Sequence, residues 1–95
     1  PSKADIWAAS GGTVEKVATG WNGGYGNMII VDHGDGLKTL YAHLDAFYVE
    51  AWQTVEQGQV IARQGNTGRT YGRTGIHLHF EVHENGVKKD PKYYY

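Results

Sequence analysis

Alternation of apolar and polar residues is clearest near the end of the chain, in the segment IHLHFEVH at 76–83. Successive side chains of a β-strand point to opposite faces of the sheet. This strand therefore places Leu78, Phe80 and Val82 on one face, and every second residue from His77 to His83 on the other. We expect the apolar face to pack in the core, which makes the histidine face a candidate functional surface.

Further strands are predicted between glycine-rich turns. They cover 6–9, 13–19, 28–32, 37–44 and the end of the segment 53–63. The segment 33–36 predicts a hairpin turn, because its Asp-Gly pair adopts positive φ at low cost. Another turn is predicted at Asn85-Gly86.

The segment 37–44 carries another histidine of interest, His43. Period-two alternation predicts that the even-numbered residues from Leu40 to Leu44 face the core and that the odd-numbered residues from Thr39 to His43 face away from it. His43 would then point into the same groove as the histidines of the later strand.

Composition limits the fold and the function. A chain of 95 residues with 14 glycines and many Val, Ile and Thr residues favours one all-β domain over 1–95. Nine Lys and Arg against ten Asp and Glu give no attraction for nucleic acid or an anionic membrane. No apolar run approaches the roughly 18 residues of a membrane span, and the first residues are not a signal peptide, so we expect any targeting segment to lie outside this chain.

Without cysteine, a metal site would need His and carboxylate ligands. The His77-x-His79 pair is a weak signal alone, and His43 adds a third imidazole. Zinc-dependent hydrolysis uses about three protein ligands, an open position for water and a nearby acid or base. A site made of three imidazoles and a site with one or two of them as ligands both remain open.

The remaining polar candidates have simpler interpretations. Glu81 can orient an imidazole by bonding to a ring nitrogen, or be an ordinary surface carboxylate. We expect His33 to make local hydrogen bonds and His83 to be solvated. Nothing near Asp5 indicates a metal site.

Two glycine-rich loops, at 20–27 and 65–75, lack the Gly-x-x-x-x-Gly-Lys pattern and the helix of a phosphate-binding loop, which excludes nucleotide binding. Their glycines suit tight turns and the close approach of an extended substrate. Trp21, Tyr25 and Tyr71 can line such a groove.

Seven segments of the chain, taken in order, resemble the lysostaphin-type zinc metallopeptidases. They are GTV at 12–14, WNGGYGN at 21–27, DHG at 32–34, LYAHL at 40–44, VxxGQVI at 55–61, GNTG at 65–68 and HLHFE at 77–81. The resemblance covers nearly the whole chain. It implies a compact antiparallel β-domain, the duplicated hybrid motif, with long loops that form a groove.

The resemblance also implies a function and a set of roles. Such domains use zinc to cleave peptides of bacterial peptidoglycan, so we expect a secreted, periplasmic or cell-wall location. His79 matches a zinc ligand, and His43 and His77 match the two catalytic histidines. The expected substrate-binding residues are Tyr25, Asn27, Tyr41 and Asn66.

One family motif is not found in this sequence. Members carry a His-x-x-x-Asp motif that supplies the other two zinc ligands, whereas Asp5 falls downstream of that position and no histidine precedes it. We therefore expect weak zinc binding and a truncated or degenerate enzyme. The alternative is a non-catalytic module that uses the same groove to bind peptidoglycan or a partner protein. Pairing of the chain with itself, which would cover edge strands, is left open.

Overall fold

The computed structural model describes residues 5–65 and 79–89. Within these ranges the chain forms nine strands and a short 3-10 turn at Asn22–Gly24. The strands are β1 (Asp5–Trp7), β2 (Gly12–Ala18), β3 (Met28–Gly34), β4 (Leu37–Ala42), β5 (Leu44–Phe47), β6 (Thr54–Val55), β7 (Val60–Gln64), β8 (His79–Glu84) and β9 (Val87–Lys89). The predicted all-β class is confirmed. None of the helical structure in these ranges is long and apolar enough to cross a membrane.

The strands form two antiparallel sheets. The larger sheet has the order β6-β2-β3-β4-β8-β9, and the smaller one has the order β1-β7-β5. The main core lies between the sheets, since its buried residues come from both of them. They include Ile6, Leu44 and Ile61 of the smaller sheet and Val14, Ile29, Val31 and Tyr41 of the larger one.

The other face of the larger sheet carries a second, smaller apolar cluster. Its buried members are Met28, Leu40 and Ala42, and Tyr25 and Ile30 pack against them. The larger sheet is therefore covered by apolar side chains on both faces around β3 and β4. This second face is the one on which the candidate site lies, and we call it the outer face.

The predicted facing is wrong for residues 39–42, whereas Leu44 lies in the main core as predicted. Tyr41 and Thr39 point into the main core, whereas Leu40 and Ala42 lie on the outer face. Because β4 is a central strand with both faces covered, the polarity of its residues does not show which face meets the core. Tyr41 is accommodated in the core because its hydroxyl accepts the Ala9 N–H (2.9 Å) and bonds to the Thr39 hydroxyl (2.9 Å).

The predicted facing of β8 is confirmed for Phe80, Glu81 and Val82. Phe80 lies opposite Tyr41, and the two rings contact each other in a tilted arrangement with their centroids 5.3 Å apart; Val82 is buried. Glu81 lies opposite Leu40 and therefore shares the outer face. Leu78, predicted to share the core face, lies outside the described residues.

Both predicted turns are confirmed. The β3–β4 turn has φ of 53° at Asp35 and 80° at Gly36, and the β8–β9 turn has φ of 52° at Asn85 and 82° at Gly86. Two consecutive positive φ values match the right-handed twist of a hairpin, which explains the Asp-Gly and Asn-Gly pairs.

His33 makes hydrogen bonds within the fold, but only one of its two partners is near in sequence: Thr39 is six residues away and Gly11 is 22 residues away. Its Nδ1 lies 2.7 Å from the Gly11 carbonyl oxygen, and its Nε2 lies 2.7 Å from Thr39 Oγ1. Since a carbonyl oxygen only accepts, Nδ1 carries a proton. The imidazole therefore links the segment before β2 to the Thr39 and Tyr41 hydroxyls of β4. His33 stabilises the fold and is not part of the candidate site.

Candidate active-site groove

His43 lies where the chain passes from the larger sheet to the smaller one, between β4 and β5. Its φ is 59°, a left-handed conformation that costs a residue with a Cβ roughly 1–2 kcal/mol. Two backbone bonds hold it there: its N–H donates to the Tyr25 carbonyl (2.9 Å) and its carbonyl accepts the Gly65 N–H (3.0 Å). With 4% of its surface exposed, His43 is a buried histidine in a strained conformation, a combination that is typical of functional sites.

The strand register brings His79 to the same end of the larger sheet. His79 pairs with Ala42, the residue before His43. Directly opposed residues of an antiparallel pair have Cβ atoms about 5 Å apart, so the backbone places His79 next to the β4–β5 junction. His77 and Asn66, the other predicted site residues of this region, lie outside the described residues.

Tyr25 connects the loop at 20–27 to both strands of the site. Its carbonyl receives the His43 N–H, and its hydroxyl donates to Glu81 Oε1 (3.2 Å). Burial, followed by the hydrogen bond and the negative charge of Glu81, raises the pKa of Tyr25 above its usual range. The phenol therefore stays protonated at neutral pH and remains a donor.

Glu81 is buried with 2% of its surface exposed, so its interpretation as a surface carboxylate is wrong. Besides the Tyr25 hydroxyl, its carboxylate meets His83 Nε2 (2.8 Å) and Lys88 Nζ (3.3 Å). A buried carboxylate is tolerated when donors and cations surround it. His83, expected to be solvated, is instead half-buried and bonded to this carboxylate.

The side chain of Asn27, which is predicted to bind substrate, makes hydrogen bonds to backbone groups. Its Oδ1 accepts the Gly20 N–H (3.1 Å) and its Nδ2 donates to the Leu44 carbonyl (3.0 Å). These bonds close the glycine-rich loop against the chain beside His43 and so shape the groove wall. Tyr41 is fully buried on the opposite side of β4, and its predicted contact with substrate is not supported.

The described residues by themselves do not form a metal site. Within 5–65 and 79–89, no group of three or more His, Asp and Glu side chains lies close enough together to hold a metal ion. Asp5, at the start of β1, pairs in register with Arg63 of the smaller sheet. A structural or catalytic zinc requires at least about three protein ligands, so the donors described here do not fit a tightly held zinc.

Comparison with known proteins gives a consistent result. The model of "Peptidase family M23" matches residues 1–91. The peptidoglycan DD-endopeptidase ShyC of Vibrio cholerae is 40% identical over 92 residues, 97% of this chain and 20% of that protein. The murein hydrolase activator NlpD of Salmonella dublin is 42% identical over 71 residues, 75% of this chain and 18% of that protein. The chain thus spans about a fifth of the length of these curated relatives.

Solved structures give the same answer for the fold. The catalytic domain of lysostaphin from Staphylococcus simulans superimposes with a TM-score of 0.80 at 33% identity, over 94% of this chain and 68% of that chain. Both the sequence and the architecture therefore match along nearly the whole length. This chain belongs to peptidase family M23 and is of the lysostaphin type.

Proposed function

We propose that the chain is a metalloendopeptidase domain that acts on peptidoglycan peptides, with its hydrolytic step impaired in these 95 residues alone. The observation that carries this proposal is the register of β4 and β8, which brings the strained His43 and the His79 backbone to one end of the outer face. Family membership and the peptidoglycan endopeptidase among the relatives support the substrate class.

We assign His43 and His77 to proton handling and His79 to metal binding, following the family resemblance. Imidazole is the side chain that most often moves protons in enzymatic hydrolysis. The backbone bonds of His43 to Tyr25 and Gly65 fix the position from which it acts. Tyr25 and Asn27 form the wall beside it, and Asn66 is proposed to contact substrate.

Zinc, when bound in such enzymes, activates water and polarises the scissile carbonyl. In this chain the resemblance assigns it one ligand, His79, and the described residues offer no complete donor set. Metal affinity depends on several donors placed in advance. We therefore expect the chain alone to retain little zinc and to turn over slowly.

The test combines zinc content after dialysis with cleavage of cross-linked muropeptides. We expect substoichiometric zinc, weak cleavage that rises with added zinc, and loss of that cleavage in His43→Ala. His33→Ala is the matched control, because His33 bonds within the fold and not in the groove. Tight stoichiometric zinc with rapid turnover would show that the proposed impairment is wrong.

A second candidate function is a non-catalytic module that recognises peptidoglycan or a partner protein through the same groove. The relative that is named an activator of murein hydrolases favours it. Sedimentation with purified sacculi separates the two candidates. Binding without cleavage at saturating zinc supports the module, and cleavage under those conditions supports the enzyme. Either function places the chain in the cell envelope.

A further inference from the structure

Two aromatic side chains lie exposed on the smaller sheet, on the side of the main core opposite the groove. Trp7 is 48% exposed and Tyr48 is 53% exposed, and neither belongs to the two apolar clusters of the described residues. Single exposed apolar residues are common on proteins, whereas several that share one face mark a binding surface. The arrangement of these two rings on the sheet therefore decides their interpretation.

Alternation along the strands places both rings on the same face of the smaller sheet. Ile6, the residue before Trp7, is buried in the main core. Phe47, the residue before Tyr48, packs against the same core. Successive side chains of a strand point to opposite faces, so Trp7 and Tyr48 both point away from the core. Val60 pairs in register with Trp7 and shares its face, and we call the surface formed by Trp7, Val60 and Tyr48 the aromatic face.

The strand order sets the distance between the two aromatic residues. β1 and β5 pair with opposite edges of β7, so their backbones are two strand spacings apart, about 10 Å. Trp7 pairs with Val60 of β7. The Tyr48 N–H donates to the carbonyl of the next residue of β7, Ile61 (2.9 Å). The two aromatic residues therefore lie side by side across β7, at positions that the backbone hydrogen bonds fix.

Charged side chains lie toward the other end of this sheet. Asp5 pairs in register with Arg63, whose Nε lies 3.9 Å from Asp45 Oδ2. These three groups are two carboxylates and one guanidinium, so they do not attract an anionic lipid surface or another polyanion. The occupant that fits the aromatic face is therefore uncharged and offers flat apolar surfaces at a regular spacing.

We propose that the aromatic face binds a neutral β-1,4-linked glycan that runs across the strands of the smaller sheet. A β-linked pyranose ring presents C–H bonds on its faces and hydroxyls at its rim. It can therefore stack on an aromatic side chain while its hydroxyls stay in water. In an extended β-1,4 strand every second ring has the same orientation, and the repeat of two rings is close to the spacing of β1 and β5. One sugar ring stacks on Trp7, the next crosses Val60, and the third stacks on Tyr48.

This site lies outside the groove, because the smaller sheet and the outer face of the larger sheet are on opposite sides of the main core. Only the identity of the glycan rests on the proposed function, since the glycan of peptidoglycan is a β-1,4-linked polymer of N-acetylated amino sugars. A glycan held on the aromatic face would keep the chain on the cell wall and raise the effective concentration of peptides at the groove. A disaccharide is too short to reach both aromatic rings, so muropeptides should bind mainly in the groove.

The test titrates the isotope-labelled chain with chitohexaose, a β-1,4-linked hexamer of N-acetylglucosamine that carries no peptide. Amide and indole chemical shifts give the affinity and the location of binding. We expect saturable binding, with the largest shifts at Trp7, Val60 and Tyr48. Maltohexaose is the matched ligand, because its α-1,4 links curve the chain and do not present alternate rings at the required spacing. It should bind at least about fivefold more weakly, which corresponds to the loss of one stacking contact.

Paired variants separate aromatic stacking from apolar cover. Trp7→Leu and Tyr48→Leu keep an apolar side chain on the sheet but remove a flat ring, and each should weaken chitohexaose binding about fivefold. Trp7→Tyr keeps a ring and should retain most of the affinity. Trp21→Ala is the matched control, because Trp21 is 61% exposed but lies in the glycine-rich loop beside the groove. It should leave the affinity for chitohexaose unchanged.

Several results would overturn the inference. They are chitohexaose shifts confined to the groove, a loss of affinity in Trp21→Ala alone, and equal binding of maltohexaose. Shifts of the aromatic face that follow protein concentration instead of added glycan would also overturn it, since that face would then join two copies of the chain.

The outcomes also separate this inference from the proposed function. If muropeptides bind the chain and chitohexaose does not, only the glycan site is refuted. If chitohexaose binds the aromatic face and muropeptides do not bind, the proposed function fails and the glycan site stands.

Discussion

Replacing Tyr25 by phenylalanine removes one hydroxyl and tests whether the buried Glu81 carboxylate organises the groove. The hydroxyl donates to Glu81 Oε1 at 3.2 Å. Hydrogen bonds to charged groups contribute about 1.5–3 kcal/mol to stability. Because Glu81 keeps His83 and Lys88 as partners, we expect the low end of this range, about 1.5 kcal/mol.

Urea unfolding of wild type and Tyr25→Phe measures this difference, since a lower midpoint with an unchanged slope reports a loss of stability. Tyr48→Phe is the matched control, because Tyr48 is 53% exposed, and it should change stability by less than about 0.5 kcal/mol. Equal stabilities of Tyr25→Phe and Tyr48→Phe would refute the reasoning.

The pH dependence of the same variant gives an independent check. The pKa of Tyr25 is raised in the folded chain, so the unfolded chain loses this proton first as pH rises. Stability from the phenol is therefore fully present below the unfolded pKa of about 10 and declines above it. The stability difference between wild type and Tyr25→Phe should be constant near neutral pH and shrink above about pH 10. A difference that does not change with pH would contradict the assigned cause.

Other substitutions test the fold around the site. Thr39→Val breaks the hydrogen bonds of a buried hydroxyl and should cost about 1–3 kcal/mol in urea unfolding, whereas Thr19→Val at an exposed position should be nearly neutral. His43→Gly should be more stable than His43→Ala by about 1 kcal/mol, because only glycine adopts the left-handed conformation without strain; equal stabilities would argue against it. Gly36→Ala should destabilise more than Gly34→Ala: both have positive φ, but only at Gly36 would a Cβ meet the side chain of the β8–β9 turn.

The sequence predicts the parts of this fold that depend on local rules. The face assignment of Phe80 and Glu81 follows from simple alternation, and the turn at Asp35-Gly36 follows from the need for positive φ. The order of the family motifs along the chain also points to the histidine pair and to His43.

The sequence does not predict features that depend on distant partners. The burial of Glu81 needs the Tyr25 hydroxyl, 56 residues away, and Lys88 of the next strand. Apolar side chains cover both faces of β4, so alternation along this strand does not show that Tyr41 points into the main core. His43 adopts a left-handed conformation although it is neither glycine nor asparagine, so its residue type does not predict that conformation. The backbone hydrogen bonds to distant residues impose it.

The location of the functional site is tested most directly by mapping a cross-linked muropeptide onto the isotope-labelled chain through its amide chemical shifts. We expect shifts along the outer face of β4 and β8, strongest near Ala42, His43 and His79 and weak in the β1-β7-β5 sheet. Shifts confined to the smaller sheet, or no binding by a correctly folded chain, would contradict the claim that this end of the larger sheet is the functional site.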